Sequence, residues 1–304
     1  MSSPEEQILN AIAIANDHYG PNRENRSQAI EFLAKVRAES AQSWRPALSL
    51  FVATNPENPS ERQFGYEVRI FSLSVLADLL DIRYVIMPTV TQCASANLHP
   101  RTSKGNLTPE DFALLKEQFL TYLKSEYLYG QAEPTAPFIR NKFSQILTLF
   151  FLVTYESQWP DFFTDMFALL NPPADTNIPP LNAHIAYFFV KLVQEISAEV
   201  ADQLLKNARA FSAERLARDS RVRDLVRERD AQKINVAVLA IVVDAKAKFD
   251  QFRTAGDTIQ SRISEEVVEL GIRAFASYVR ESNVCTQAHA HRLILTSILQ
   301  RGST

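Results

Sequence analysis

Residues 108–129 read TPEDFALLKEQFLTYLKSEYLY. Thr108 offers a hydroxyl at a helix N-cap, Pro109 takes the first helical position, and Asp111 supplies a carboxylate at the third. Behind them Phe112, Leu115, Phe119 and Tyr122 recur at intervals of three and four, which places them on one face of a helix. Cap, start and apolar stripe agree, so this stretch predicts an amphipathic helix over 109–129.

The same grammar recurs along the chain. Ser3-Pro4-Glu5-Glu6 is a second proline-led cap, Ser60-Glu61-Arg62-Gln63 a plain capping box, and Asp257 to Gln260 a fourth candidate. Ile139, Phe143, Ile146, Phe150 and Val153 form one helical stripe, and Ile259, Ile263, Val267, Leu270, Ala274 and Tyr278 another. Helices are predicted near 4–16, 24–39, 43–53, 61–82, 109–129, 136–156, 159–170, 181–206, 211–230, 231–254, 257–281 and 286–300. Short connections such as Asn55-Pro56-Glu57-Asn58-Pro59 and Asn171-Pro172-Pro173 separate many of them. Only 7 glycines occur in 304 residues, which disfavours turn-rich β folds. The expected fold is all-α, an α-solenoid of stacked antiparallel helix pairs, with a compact helical bundle as the alternative. Residues 83–107 lack periodicity and are expected to be loosely packed. The organisation expected is therefore helical repeats over 1–82, an irregular insertion over 83–108, further repeats over 109–285 and an atypical tail over 286–304.

Composition narrows function by exclusion. A hydrophobic share of 46% and a charged share of 22% fit a folded chain, and a net charge of −3 argues against wholesale coating of nucleic acid. Cys93 and Cys285 cannot build a disulfide framework and suit the cytosol or nucleus. No secretory signal is expected in MSSPEEQILN, and the apolar runs Val236–Val243 and Leu149–Val153 are too short for membrane insertion. No G-x-S-x-G, G-x-x-x-x-G-K-[ST] or H-E-x-x-H occurs, so neither catalysis nor a cofactor is expected. Cys285, His289 and His291 form the one metal-like cluster, but a fourth ligand is lacking, and solvated tail residues are the better reading. His18, His99 and His184 are isolated.

The segment Lys206–Lys233 is the most informative polar feature, with nine basic residues against five acidic. Arg215, Arg218, Arg221, Arg223, Arg227 and Arg229 could track an RNA backbone, because guanidinium meets phosphate bidentately. The competing reading, favoured on charge alone, is a solvated helix laced by pairs such as Asp219–Arg223 and Glu214–Arg218. Arg227 and Arg229 lie two apart on a helix, so one of them at most should face an RNA.

Residues 133–170, EPTAPFIRNKFSQILTLFFLVTYESQWPDFFTDMFALL, carry a resemblance. The F-I-R-N-K run, the apolar helix, a tyrosine and then W-P-D-F-F resemble the exportin-type domain of the importin-β-like nuclear transport receptors. The tRNA-exporting members from fungi are the most similar. Arg26–Phe51 is similar to the receptors' N-terminal part, and Asp224–Lys233 to a basic run in the helix that follows the domain. The resemblance covers roughly 1–70 and 110–285 and implies an N-terminal portion of a HEAT-type solenoid. It implies Ran-GTP and tRNA as partners, contact with nuclear pore proteins, and shuttling between nucleus and cytoplasm. It also locates the Ran-GTP face near Arg140, Asn141 and Lys142, expected to be exposed at a helix start. Trp159, Phe162 and Phe163 are read as core wedges around Pro160. An importin-β-like adaptor for protein cargo and a helical scaffold outside transport are the alternatives.

Overall fold

The computed structural model describes residues 2–19, 23–58, 61–82, 107–129, 136–176, 178–201 and 213–282. These residues form eleven α-helices and no strand. They are α1 (Pro4–Asn16), α2 (Arg26–Ala38), α3 (Ser40–Val52), α4 (Tyr66–Ile82), α5 (Pro109–Leu123) and α6 (Pro137–Thr154). They continue as α7 (Phe162–Leu170), α8 (Ala183–Ala201), α9 (Ala213–Arg229), α10 (Ala231–Ala255) and α11 (Thr258–Ser282). Residues 83–106 of the stretch expected to be irregular, and the tail with Cys285, His289, His291 and the helix expected over 286–300, lie outside the described residues.

The caps act as the sequence dictates. Ser3 and Thr108 each close a reciprocal capping box, with Glu6 and Asp111 respectively. Asp257 accepts from the Gln260 N–H at 3.0 Å. Gly256 ends α10 in the left-handed region at φ 76°, a conformation that suits glycine. Ser60 lies outside the described residues, and the helix expected from residue 61 does not start there. Residues 61–63 instead run antiparallel to 53–55: the Asn55 N–H donates to the Glu61 carbonyl and the Gln63 N–H to the Ala53 carbonyl, and α4 begins only at Tyr66. The helix expected over 109–129 is α-helical to Leu123 and then widens into a π turn, Lys124–Leu128. That turn carries Tyr127 into the core, where it stacks on Phe188 with centroids 4.7 Å apart.

The helices pair and stack. α1 packs on α2, α3 on α4, and α10 on α11, while α4, α6, α8 and α11 follow one another as a ladder. This is a HEAT-like solenoid, with helix pairs side by side. α6 sits in the middle and is buried on nearly every side. Its Phe143 meets the rings of Phe51, Phe119, Tyr122 and Phe188, joining four helices at one point. Trp159, Phe162 and Phe163 are buried in the same core, as expected of wedges at the α6–α7 corner. Arg62 and Arg69 cross from the α3–α4 pair to Glu126, at 2.7 and 3.3 Å, and Arg69 donates to the Tyr122 hydroxyl at 2.6 Å.

Candidate partner-binding surfaces

The first surface lies at the N-terminal turn of α6, whose start is fixed by Pro137. Asn141 is exposed there, and the Lys142 ammonium donates to Gln145 at 3.2 Å. Arg140 departs from the expected free exposure. Its guanidinium lies 3.9 Å from the centroid of the Tyr187 ring on α8, and its Nε is buried without a hydrogen-bond partner. The cause is the ladder: α8 runs beside α6, so a long side chain leaving the first turn of α6 meets Tyr187. Burial, and then the Arg140 charge, hold the His184 imidazole below its ordinary range. On the α4 side of the same turn, Phe138 meets Tyr66 edge-on with centroids 5.3 Å apart. These two aromatics are 50% and 51% exposed, and the sequence reading missed them. The available signal was phase: each follows a helix start and falls off the apolar stripe of its own helix.

The second surface is α9, the arginine helix. Arg215 reaches Asp81 at the end of α4 at 2.9 Å, and Arg221 reaches Glu156 in the α6–α7 turn at 3.1 Å. Arg229 donates to the Pro160 carbonyl at 2.7 Å and lies over the Tyr155 ring. Arg218 pairs with the buried Asp219 at 2.5 Å, and Arg223 with Asp224 at 3.1 Å and with the Ser220 hydroxyl. Arg227 is 3.9 Å from Asp224. In place of the expected Asp219–Arg223 pair, Asp219 pairs with Arg218 and Arg223 with Asp224, while Arg227 and Asp224 form a pair one turn apart; the expected Glu214–Arg218 pair involves a side chain outside the described residues. The replacement follows from burial, because Asp219 and Val222 face the core and carry their neighbours toward α4 and the α6–α7 turn. The Arg215 and Arg218 side chains are only 13% and 12% exposed, whereas Arg221 and Arg227 keep 56% and 40%.

Among the described residues no group of three or more His, Cys, Asp or Glu could hold a metal, and no helix is long and apolar enough to cross a membrane. The surfaces are built of charges and aromatics on a rigid helical frame, suited to binding.

A family model for exportin 1-like proteins matches residues 136–300, more than half of the chain. The chain belongs to the exportin family. Proteins named Exportin-T are its relatives: that of Coprinopsis cinerea is 41% identical over 281 residues, covering 92% of this chain and 24% of the relative. That of Laccaria bicolor is 39% identical over 284 residues, with the same two shares of 92% and 24%. That of Aspergillus oryzae is 28% identical over 232 residues, covering 76% of this chain and 19% of the relative. This exportin chain spans about a quarter of the length of the first two relatives. The family match takes in both surfaces apart from Tyr66, running from the start of α6 through α9.

Proposed function

We propose that this chain is part of a nuclear export receptor that carries tRNA out of the nucleus in a complex with GTP-bound Ran. It works by binding and catalyses nothing. The likeness to proteins named Exportin-T carries the reading. In it, the receptor shuttles between nucleus and cytoplasm, meets nuclear pore proteins on the way, and takes its direction from the nucleotide state of Ran, one binding site acting on another.

Two features of the frame support the assignment of partners. The turn with Arg140, Asn141 and Lys142, expected from the family resemblance to belong to a Ran-GTP face, carries two cations, and among the described residues neither meets a carboxylate. Helix α9 offers arginines to an RNA backbone, with Arg221 and Arg227 the most available of those facing solvent. Arg215, Arg218, Arg223 and Arg229 have prior engagements, so their share in tRNA binding is to order the helix. The deciding experiment is capture of purified Ran, loaded with a non-hydrolysable GTP analogue or with GDP, in the presence and absence of tRNA. Binding confined to the GTP form and strengthened by tRNA is expected. Equal capture of both forms, or of neither, overturns the reading.

A further inference from the structure

We infer that the Tyr66–Phe138 pair is the apolar centre of the surface that receives the GTP-bound GTPase, with Arg140 and Lys142 as its cationic rim. This rests on the receptor reading above and adds to it the residues that would carry the affinity. Two large aromatics in mutual contact, each half exposed, have no packing reason to face water at the first turns of two neighbouring helices. From Tyr66 on α4 the surface runs through Phe138 and the exposed Asn141 on α6 to Arg140, stacked on Tyr187 of α8. It therefore bridges three rungs of the ladder. An aromatic such as tyrosine at the centre of a patch is the kind of residue on which protein–protein affinity concentrates.

The charges say what kind of partner fits. Arg140 and Lys142 add two positive charges with no carboxylate against either among the described residues. Arg140 is held in place by the Tyr187 ring, so presenting it to a carboxylate requires little ordering. The matching partner surface is a protein patch with an apolar side chain at its centre and acidic residues around it. An RNA is the poorer fit. Tyr66 and Phe138 meet edge-on at 76°, so they do not form one flat platform for a base, and the Tyr187 face is already taken by Arg140.

The test is the affinity of the whole chain for GTP-loaded Ran, measured by calorimetry for wild type, for Tyr66→Ala/Phe138→Ala and for Arg140→Gln. The aromatic double variant should bind at least about tenfold more weakly. Arg140→Gln should weaken binding less, and its loss should shrink as salt rises. Wild type that binds GTP-loaded Ran while the double variant binds equally well overturns this inference and leaves the receptor reading standing. Wild type that does not bind Ran at all overturns the receptor reading itself. A second measurement is independent of any effect of the alanines on folding: Phe138 replaced by photoreactive p-benzoylphenylalanine should cross-link to bound GTP-loaded Ran. Absence of that cross-link in a sample that binds Ran, or a double variant that loses tRNA and keeps Ran, also overturns the inference.

Discussion

Tyr155 at the end of α6 and Asp230 before α10 are 75 residues apart in sequence, and the phenol donates to the carboxylate at 2.5 Å. The bond closes a loop of chain that contains α7, α8 and α9. Asp230 is buried, so removing the hydroxyl leaves a buried carboxylate without that donor. Tyr155→Phe should lower stability by about 1–3 kcal/mol. Urea unfolding checks it, and Tyr155→Phe/Asp230→Asn should recover part of the loss; an unchanged midpoint in the single variant would show that the bond contributes nothing.

Gly271 governs how closely α10 and α11 approach. A methyl group there would clash with a γ carbon of Val242, a buried, β-branched side chain with little freedom to turn away. The usual helix gain of about 1 kcal/mol from Gly to Ala is opposed by overpacking of about 1–3 kcal/mol. Gly271→Ala should therefore destabilise. Val242→Ala/Gly271→Ala should be less destabilised than the sum of the two single changes, as a double-mutant cycle by thermal unfolding would reveal.

The phenol of Tyr122 is pushed far above its ordinary value of 10.0, first by burial and then by the nearby Glu126 carboxylate. The folded state thus holds this proton more tightly than the unfolded state does. Its contribution to stability is complete below pH 10 and is lost as pH rises beyond it. Unfolding free energies measured in urea from pH 9 to 11 should fall with pH, and Tyr122→Phe should flatten that fall. A slope unchanged by the substitution would assign the fall to other groups.

His184 gives a prediction of the opposite sign. Its pKa is lowered by burial and by Arg140, so the folded state is at full advantage above the ordinary 6.5 and loses stability as pH drops below it. Arg140→Gln removes the charge and leaves the burial. The His184 titration, followed by NMR, should move up part of the way and stop short of 6.5. A full return to the ordinary value would mean that burial has no part in the shift.

For tRNA the expectation concerns Arg227 and Arg229. Arg229 is bound to the Pro160 carbonyl and lies over Tyr155, whereas Arg227 is 40% exposed beside Asp224. Arg227→Ala should reduce the slope of log affinity against log salt by about 1, and Arg229→Ala should instead lower the melting temperature. The reverse assignment, or a salt-insensitive affinity, would remove α9 from the RNA surface.

The helices were legible because cap and stripe coincide in one stretch, as at Thr108 and Phe112. Where they failed to coincide, the reading failed: Ser60 precedes a segment whose backbone pairs with residues 53–55, a contact that local periodicity does not encode. Core aromatics such as Trp159 and Phe163 were legible for a different reason, because they flank Pro160 at the corner between two helices. The partners of the arginines were not. Arg215 and Asp81 are 134 residues apart, and only the stacking of pairs brings them together. The Tyr66–Phe138 contact was hidden likewise, since it depends on α4 and α6 being neighbours.

Helix α9 acts on the stack as a splint. One rigid rod is fastened to the end of α4 through Arg215–Asp81, to the α6–α7 turn through Arg221–Glu156 and Arg229, and to α10 through the chain itself. Stacked helix pairs wind and unwind like a spring, but a rod pinned at three points along them fixes the local pitch. Two of those pins are ion pairs whose acidic members are 59% and 43% exposed, so salt screens them. Added salt thus acts twice on this region: it weakens attraction to a phosphate backbone, and it loosens the splint that holds the arginines in register.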